Sequence, residues 1–181
     1  MDLTGRLSPE DLSVHALESI VASDLLPAGA TVLDVGSGSG FPGVPLAIAR
    51  PDLRVAALEP RAKRAEFLRH VARAVPVDNL SVLQSRVEAQ GAGLWDGATV
   101  RAVGNLRETL RGAPFLRDGG VLLVWTTDAQ KLRPALAPEL VFEEARPVSG
   151  SSRRVVAVFR RAPGESSQPT TAATFHVERR R

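Results

Sequence analysis

Short runs of apolar and β-branched residues alternate along the chain with longer amphipathic stretches, which is typical of an open α/β sheet. The runs that predict strands lie at 31–36, 54–59, 79–84, 98–103, 121–126, 140–148 and 153–161. The stretches that predict helices lie at about 9–26, 43–50, 63–75, 106–117 and 128–137. Residues 149–152, of sequence Ser-Gly-Ser-Ser, are typical of a hairpin loop. The pattern therefore predicts a mostly parallel seven-stranded sheet with one antiparallel member in a C-terminal hairpin.

The two ends of the chain differ from this α/β region. Residues 1–30 hold one predicted helix, and residues 31–161 hold the α/β domain. Residues 162–181 are polar, poor in core-forming side chains and end in three arginines, which predicts a flexible basic tail. A chain of 181 residues is long enough for one compact domain and too short for two complete ones.

Composition narrows the function classes. The chain has no cysteine, which excludes disulfides and a cysteine nucleophile, and its three histidines have no metal-ligand spacing. No apolar run is long enough to span a membrane and no leader pattern opens the chain, so we expect a cytoplasmic protein if the source is bacterial. The net charge is +3 and nearly all basic residues are arginine. Arginine suits phosphate contacts, although a GC-rich genome would also favour it.

The segment that carries chemistry is the glycine-rich loop after the first predicted strand. Gly36, Gly38 and Gly40 follow Asp34 in the spacing D-x-G-x-G-x-G. A nicotinamide-dinucleotide site has the spacing G-x-G-x-x-G, and here Phe41 occupies the third glycine position. The observed spacing is that of S-adenosylmethionine-dependent methyltransferases of the Rossmann-like class. The alternative is a glycine-rich turn that binds no ligand.

S-adenosylmethionine carries an ammonium, a carboxylate and a sulfonium but no phosphate. Asp34 is expected to bind the methionine end, with the backbone of Gly36 and Gly38 against it. Glu59, at the end of the second predicted strand, is expected to accept hydrogen bonds from the ribose hydroxyls. The turn Arg86-Val87-Glu88 is the expected adenine site. The residues expected to contact the cofactor are Asp34, Gly36, Ser37, Gly38, Gly40, Phe41, Glu59, Pro60, Val87, Glu88 and Arg101.

Longer segments resemble one family. The segments GSGSGFPGVPLAIARPDL (36–53) and LEPRAKRAEFLRHV (58–71) resemble the RsmG, or GidB, family of small-subunit ribosomal RNA guanine-N7 methyltransferases. Further matching segments are Trp95-Asp96, Arg101-Ala102, Asp2-Leu3-Thr4 and His15-Ala16-Leu17-Glu18-Ser19. The resemblance covers about residues 2–161. The chain departs from the family pattern at Trp125-Thr126-Thr127, where a Lys-Gly pair is usual. Family members usually carry a further helical segment before the stretch that matches Asp2-Leu3-Thr4, and the sequence begins at that stretch.

The resemblance implies a class I methyltransferase fold, S-adenosylmethionine as cofactor, and ribosomal RNA or the small subunit as partner. It implies that Arg101 is the catalytic residue, which would hold a phosphate or the guanine O6; the alternative for Arg101 is a structural salt bridge. Arg61, Lys63, Arg64 and Arg107 are the residues expected to contact RNA phosphates. Of the other candidates, His15 is either a capping or surface residue or part of the ligand pocket. Trp95 is expected in the core, whereas Trp125 is expected either in the core or stacked on a base.

Two further functions stay open from the residues alone. The same scaffold serves small-molecule and protein methyltransferases, and the departures from the family pattern allow a non-catalytic S-adenosylmethionine-binding assembly factor. We expect a monomer without a metal ion.

Overall fold

The computed structural model describes residues 8–136 and 138–164. The Asp2-Leu3-Thr4 match and residues 165–181 of the predicted tail lie outside the described residues.

A seven-stranded sheet forms the centre of the structure. Its strands are β1 (Thr31–Val35), β2 (Arg54–Leu58), β3 (Leu80–Leu83), β4 (Trp95–Arg101), β5 (Leu116–Thr126), β6 (Leu140–Pro147) and β7 (Val155–Arg161). Their spatial order is β3-β2-β1-β4-β5-β7-β6. Strand β7 runs antiparallel to both of its neighbours, and the other described pairs are parallel. The predicted sheet, with one antiparallel member, is confirmed.

The described residues form five α-helices around the sheet: α1 (Pro9–Ser19), α2 (Gly43–Ala49), α3 (Ala62–Ala74), α4 (Leu106–Leu110) and α5 (Ala129–Leu136). Single 3₁₀ turns lie at Ser23–Leu25 and Val87–Ala89. Apolar residues of the central strands pack on both faces. In β1, Leu33 and Val35 belong to one core cluster and Val32 to the other. Burial on both faces explains why β1 is a continuous apolar run in the sequence.

The N-terminal helix is shorter than predicted. Ser8 and Asp11 cap its start reciprocally, but it ends at Ser19 rather than near residue 26. Its C-terminal cap is Ile20, whose N–H donates to the carbonyl of Leu17, three residues back. The guanidinium of Arg50 donates to the carbonyl of Ser23, at the start of a 3₁₀ turn. A tight turn and an arginine hydrogen bond thus replace the last predicted turns of helix.

The helix predicted over 106–117 was also too long. Helix α4 ends at Leu110, and β5 begins at Leu116, before the Asp118-Gly119-Gly120 turn that was expected to precede it. Gly112 and Ala113 have positive φ angles and Pro114 follows, a combination that ends a helix. The pairing of β4 with β5 shifts in register between Trp95 and Gly97. This irregularity accommodates the extra residues at the start of β5. Trp95 starts β4 and lies in the core, as predicted.

The close packing of β4 against the residues after α1 leads to a stability prediction. A Cβ atom on Gly97 would lie 2.5 Å from Cδ2 of Leu26, which is itself buried. We expect Gly97→Ala to lower the free energy of unfolding by about 1–3 kcal/mol, because Leu26 must leave its packed position. Gly104→Ala is the matched control, since a Cβ there meets no atom within 4 Å. Urea unfolding of both variants measures the difference, and equal losses would contradict the packing argument.

Candidate functional site

The glycine loop crosses the carboxyl edge of the sheet between β1 and α2. Gly36 and Gly38 have φ angles of 73° and 54°, in the left-handed region that favours glycine. A Cβ on Gly36 would lie 2.7 Å from a methyl group of Val103. The N–H groups of Gly36 and Ser37 both donate to the carbonyl of Leu58, at 2.9 and 3.0 Å. The loop is therefore fixed to the end of β2, with its backbone exposed along one side of a cleft.

Asp34 lies beneath this loop and does not line the cleft. Its side chain is fully buried, and Oδ1 accepts from the hydroxyl of Thr99 at 2.8 Å. Oδ2 accepts from the N–H of Gly43 at 3.1 Å. Burial raises the pKa of Asp34 to about 6, while these hydrogen bonds oppose that increase. The structure thus places Asp34 where it orders the loop, away from the position expected for a contact with the methionine end of a cofactor.

Glu59 is buried at the carboxyl end of β2, on the other side of the loop. Its Oε2 accepts from the N–H of Gly38 at 3.2 Å, and its Oε1 accepts from the N–H of Arg61 at 2.9 Å. The carboxylate therefore joins the glycine loop to the start of α3. Each oxygen accepts one protein hydrogen bond, which leaves each with a second lone pair.

The loop, β4 and α1 together enclose a cleft of about 290 Å³. The cleft is lined by His15, Gly36, Ser37, Gly38, Ser39, Phe41, Arg64, Arg101 and Ala102. The structure brings six of the sequence-predicted residues to this lining. The expected cofactor residues outside the lining are Asp34, Gly40, Glu59, Pro60, Val87 and Glu88. Of these, Val87 is buried in the turn after β3, and Pro60 and Glu88 are exposed.

Arg101 lines the cleft at the end of β4, but helix α1 already holds its guanidinium. Nη2 lies 2.9 Å from Oε2 of Glu18 and 2.8 Å from Nδ1 of His15. Nη1 lies 3.3 Å from the His15 carbonyl oxygen and 3.5 Å from the Ser19 hydroxyl. Burial lowers the pKa of Arg101, and the charge of Glu18 opposes that change. The salt-bridge alternative is thus present in the structure, and a substrate contact by Arg101 stays a prediction.

Glu18 is the residue at the site that sequence reasoning missed. Its side chain is 3% exposed and forms ion pairs with Arg101 and Arg154. The indole of Trp125 donates to its backbone carbonyl at 2.9 Å, which gives Trp125 a role in anchoring α1. The sequence did contain one signal for Glu18. The segment His15–Ser19, which resembles the family, places an acid on the same helix as the candidate His15. The second cationic partner, Arg154, directly precedes β7 and was not visible in that pattern.

The predicted RNA-contacting residues divide into two groups. Arg61 and Lys63 are exposed at the start of α3, next to Arg64 in the cleft lining. Arg107 instead lines a second depression of about 560 Å³, together with Glu108 and Glu139. That depression contains no residue of the glycine loop.

Searches of the described residues found neither a helix suited to cross a membrane nor a cluster of three or more His, Asp or Glu side chains suited to hold a metal ion.

The chain matches a protein family. Residues 1–139 match the family model GidB, described as rRNA small subunit methyltransferase G. The chain is 42% identical over 114 residues to ribosomal RNA small subunit methyltransferase G of Mycolicibacterium smegmatis, covering 60% of this chain and 48% of that protein. It is 38% identical over 159 residues to the Thermobifida fusca protein of the same name, covering 87% and 64%. The chain thus spans about half the length of several of these relatives.

Solved structures share the fold. A SAM dependent methyltransferase from Aquifex aeolicus superposes with a TM-score of 0.70 at 14% identity, covering 86% of this chain and 94% of that chain. TrmN from Thermus thermophilus superposes with a TM-score of 0.67 at 26% identity, covering 88% and 51%. The predicted class I methyltransferase fold is confirmed.

The raised pKa of Asp34 predicts a pH dependence of stability. Between about pH 4 and about pH 6 the native state binds more protons than the unfolded state, because the carboxyl titrates near 3.8 when unfolded and near 6 when buried. The free energy of unfolding should therefore fall as pH rises through this window, and then level off. The total contribution is on the order of 3 kcal/mol.

The variant Asp34→Asn tests this, since an amide can accept from Gly43 and donate to the Thr99 hydroxyl, and it does not titrate. Urea unfolding at several pH values should show a flatter profile for Asp34→Asn than for the wild type. Asp52→Asn is the control, because the Arg50 guanidinium lowers the pKa of Asp52 and places its titration below the window. Parallel profiles for Asp34→Asn and the wild type would contradict the buried carboxyl titration.

Proposed function

The chain belongs to the GidB family, rRNA small subunit methyltransferase G, and from this membership we propose that it transfers a methyl group from S-adenosylmethionine to guanine N7 in small-subunit ribosomal RNA. The observation that carries the proposal is the glycine loop, which presents bare backbone to a cleft at the carboxyl edge of the sheet. Ligands of open α/β sheets bind at this edge. A cytoplasmic location and a monomeric state are further parts of the proposal.

The residues at the cleft fit S-adenosylmethionine. Gly38 lines the cleft, so a side chain at this position would extend into the space proposed for the cofactor. The remaining lone pairs of the Glu59 carboxylate suit two ribose hydroxyl donors. When bound, the cofactor supplies an electrophilic methyl group on a sulfonium. The loop and Glu59 would hold and orient it, while Asp34 keeps the loop in shape from below.

The lining of the cleft suits a nucleophile that needs no deprotonation. Guanine N7 has a free in-plane lone pair and no proton at neutral pH, so its methylation requires positioning rather than a general base. The chain contains no Cys or Tyr, and no carboxylate is among the residues that line the cleft. The lining does contain the imidazole of His15, whose Nδ1 lies beside the Arg101 guanidinium. These features suit a ring-nitrogen acceptor, whose methylation removes no proton.

A polyanionic substrate fits the charge around the cleft. Arg61 and Lys63 are exposed beside it, and Arg64 lines it. Within the described part of the chain, no salt bridge involves any of these three residues, so their charges are available to phosphates. Arg107 would contact RNA at a distinct place, in the second depression. A small-molecule substrate has no need of such a cationic border, which favours RNA over the first alternative.

The proposed ribose contact predicts a ligand-dependent effect of Glu59→Ala. We expect this variant to bind S-adenosylhomocysteine more weakly by about 1.5–3 kcal/mol, the range for hydrogen bonds to a charged group. A 2′-deoxyribose analogue should show a smaller loss, about half as large, because it keeps only one of the two donors. Isothermal titration calorimetry measures these affinities, with Glu66→Ala on the exposed face of α3 as the control. An equal loss for both ligands would indicate that Glu59 only supports the loop.

The proposed activity predicts 7-methylguanosine in small-subunit ribosomal RNA. Purified small subunits and their extracted RNA are incubated with radiolabelled S-adenosylmethionine, and the nucleosides are then separated. Gly38→Val should abolish transfer, because its branched side chain enters the cleft and strains a positive-φ position. Gly104→Val, where no atom lies within 4 Å of a Cβ, is the matched control.

Label on another atom or on a non-RNA acceptor would assign the chain to a different methyltransferase class. Cofactor binding without transfer to either RNA would support the assembly-factor alternative.

A further inference from the structure

Both Nη groups of the Arg101 guanidinium already have acceptors on α1. Each Nη atom carries two N–H bonds, and each has two acceptors within 3.5 Å on that helix. A bidentate contact of Nη1 and Nη2 with a phosphate or a guanine would require breaking this arrangement. It would also leave the buried carboxylate of Glu18 with Arg154 as its remaining arginine partner. A neighbouring side chain of α1 that lines the cleft is therefore better placed to meet the substrate.

His15 is the side chain that Arg101 places there. Its ring lines the cleft, 5.9 Å from the ring of Phe41 and tilted by 60°. Its Nδ1 faces inward, 2.8 Å from Nη2 of Arg101 and 3.2 Å from the Glu18 carboxylate. A guanidinium only donates and a carboxylate only accepts, so the two contacts of Nδ1 favour opposite tautomers of the neutral ring. The contact with Arg101 is the shorter, and at 2.8 Å two N–H groups cannot face each other, so it assigns Nδ1 as the acceptor. The proton of the imidazole is then on Nε2, at the edge of the ring away from Arg101.

We propose that His15, rather than Arg101, contacts the target nucleotide, as an Nε2–H donor whose tautomer is set by the Glu18–Arg101 pair. The contact suits an acceptor on the substrate, which for a guanine methylated at N7 is the adjacent O6. This inference rests on the proposed function and assigns Arg101 and Glu18 as positioning residues. Helix α1 thereby becomes part of the active site.

The tautomer can be measured without activity. The chain has three histidines, and the ring ¹⁵N signals of His15 are assigned by their loss in His15→Gln. At mildly alkaline pH we expect Nε2 to be the protonated nitrogen of His15 and Nδ1 the unprotonated one. Glu18→Gln should weaken this preference, because it releases the guanidinium of Arg101. Arg154→Gln should preserve it, because Arg154 binds Glu18 and makes no contact with His15. A proton on Nδ1 in the wild type would overturn the proposal.

Two amide variants distinguish the two ring nitrogens in function. A glutamine amide can place an N–H near Nε2, whereas an asparagine amide reaches only near Nδ1. We expect His15→Gln to retain methyl transfer within about tenfold of the wild type. We expect His15→Asn to lose about 100-fold in kcat, because it lacks the donor to the substrate. The affinity for S-adenosylhomocysteine should change by less than about threefold in both, since the loop and Glu59 hold the cofactor.

His70, exposed on α3, supplies the matched controls His70→Gln and His70→Asn, which should both behave as the wild type. Equal activities of His15→Gln and His15→Asn would overturn the role of Nε2, and so would full activity of His15→Asn. If the wild type binds S-adenosylhomocysteine but methylates no RNA, the proposed function fails, and the ¹⁵N spectrum still decides the tautomer of His15.

Discussion

A buried carboxylate ties the strand before the glycine loop to the helix after it, and the cleft depends on that loop. Asp34, the penultimate residue of β1, has one oxygen bound to Thr99 of β4 and the other to the first N–H of α2. A Cβ on residue 43 would lie 2.6 Å from that second oxygen, so glycine is required where the helix begins. Because the group is desolvated, its hydrogen bonds are costly to break, and they hold strand, loop and helix in one arrangement.

A second buried acid does the same for the opposite wall. Glu18 joins α1 to the ends of β4 and β7 through two arginines, and its backbone joins α1 to β5 through Trp125. The two acids use different chemistry. Asp34 accepts only from neutral donors, so its charge is uncompensated and its pKa is raised. Glu18 faces guanidinium groups, which supply the compensating charge inside a buried site.

The cationic residues around the cleft consequently have separate roles. Arg101 shares the charge of Glu18 with Arg154 and is held in place, whereas Arg64 has no ion pair within the described residues. This division suits the proposed reaction, which depends on orientation. In that proposal, phosphate contacts at the border would fix the nucleic acid, and directed hydrogen bonds at the centre would fix the base. The central contacts would depend on the buried Glu18.

The amino-acid sequence by itself determined the mostly parallel sheet and the position of the glycine loop, because both follow from local patterns. Apolar runs mark the strands, and the spacing D-x-G-x-G-x-G marks the loop. It also located Glu59 at a strand end. The tertiary structure decided how far α1 and α4 extend, since the Arg50 hydrogen bond to the Ser23 carbonyl and the positive φ angles near residue 113 override local helix preference. It also decided that Asp34 lies below the loop and that Arg101 pairs with Glu18. The Thr99–Asp34 and Arg101–Glu18 contacts behind these two outcomes join residues 65 and 83 positions apart, which no local pattern encodes.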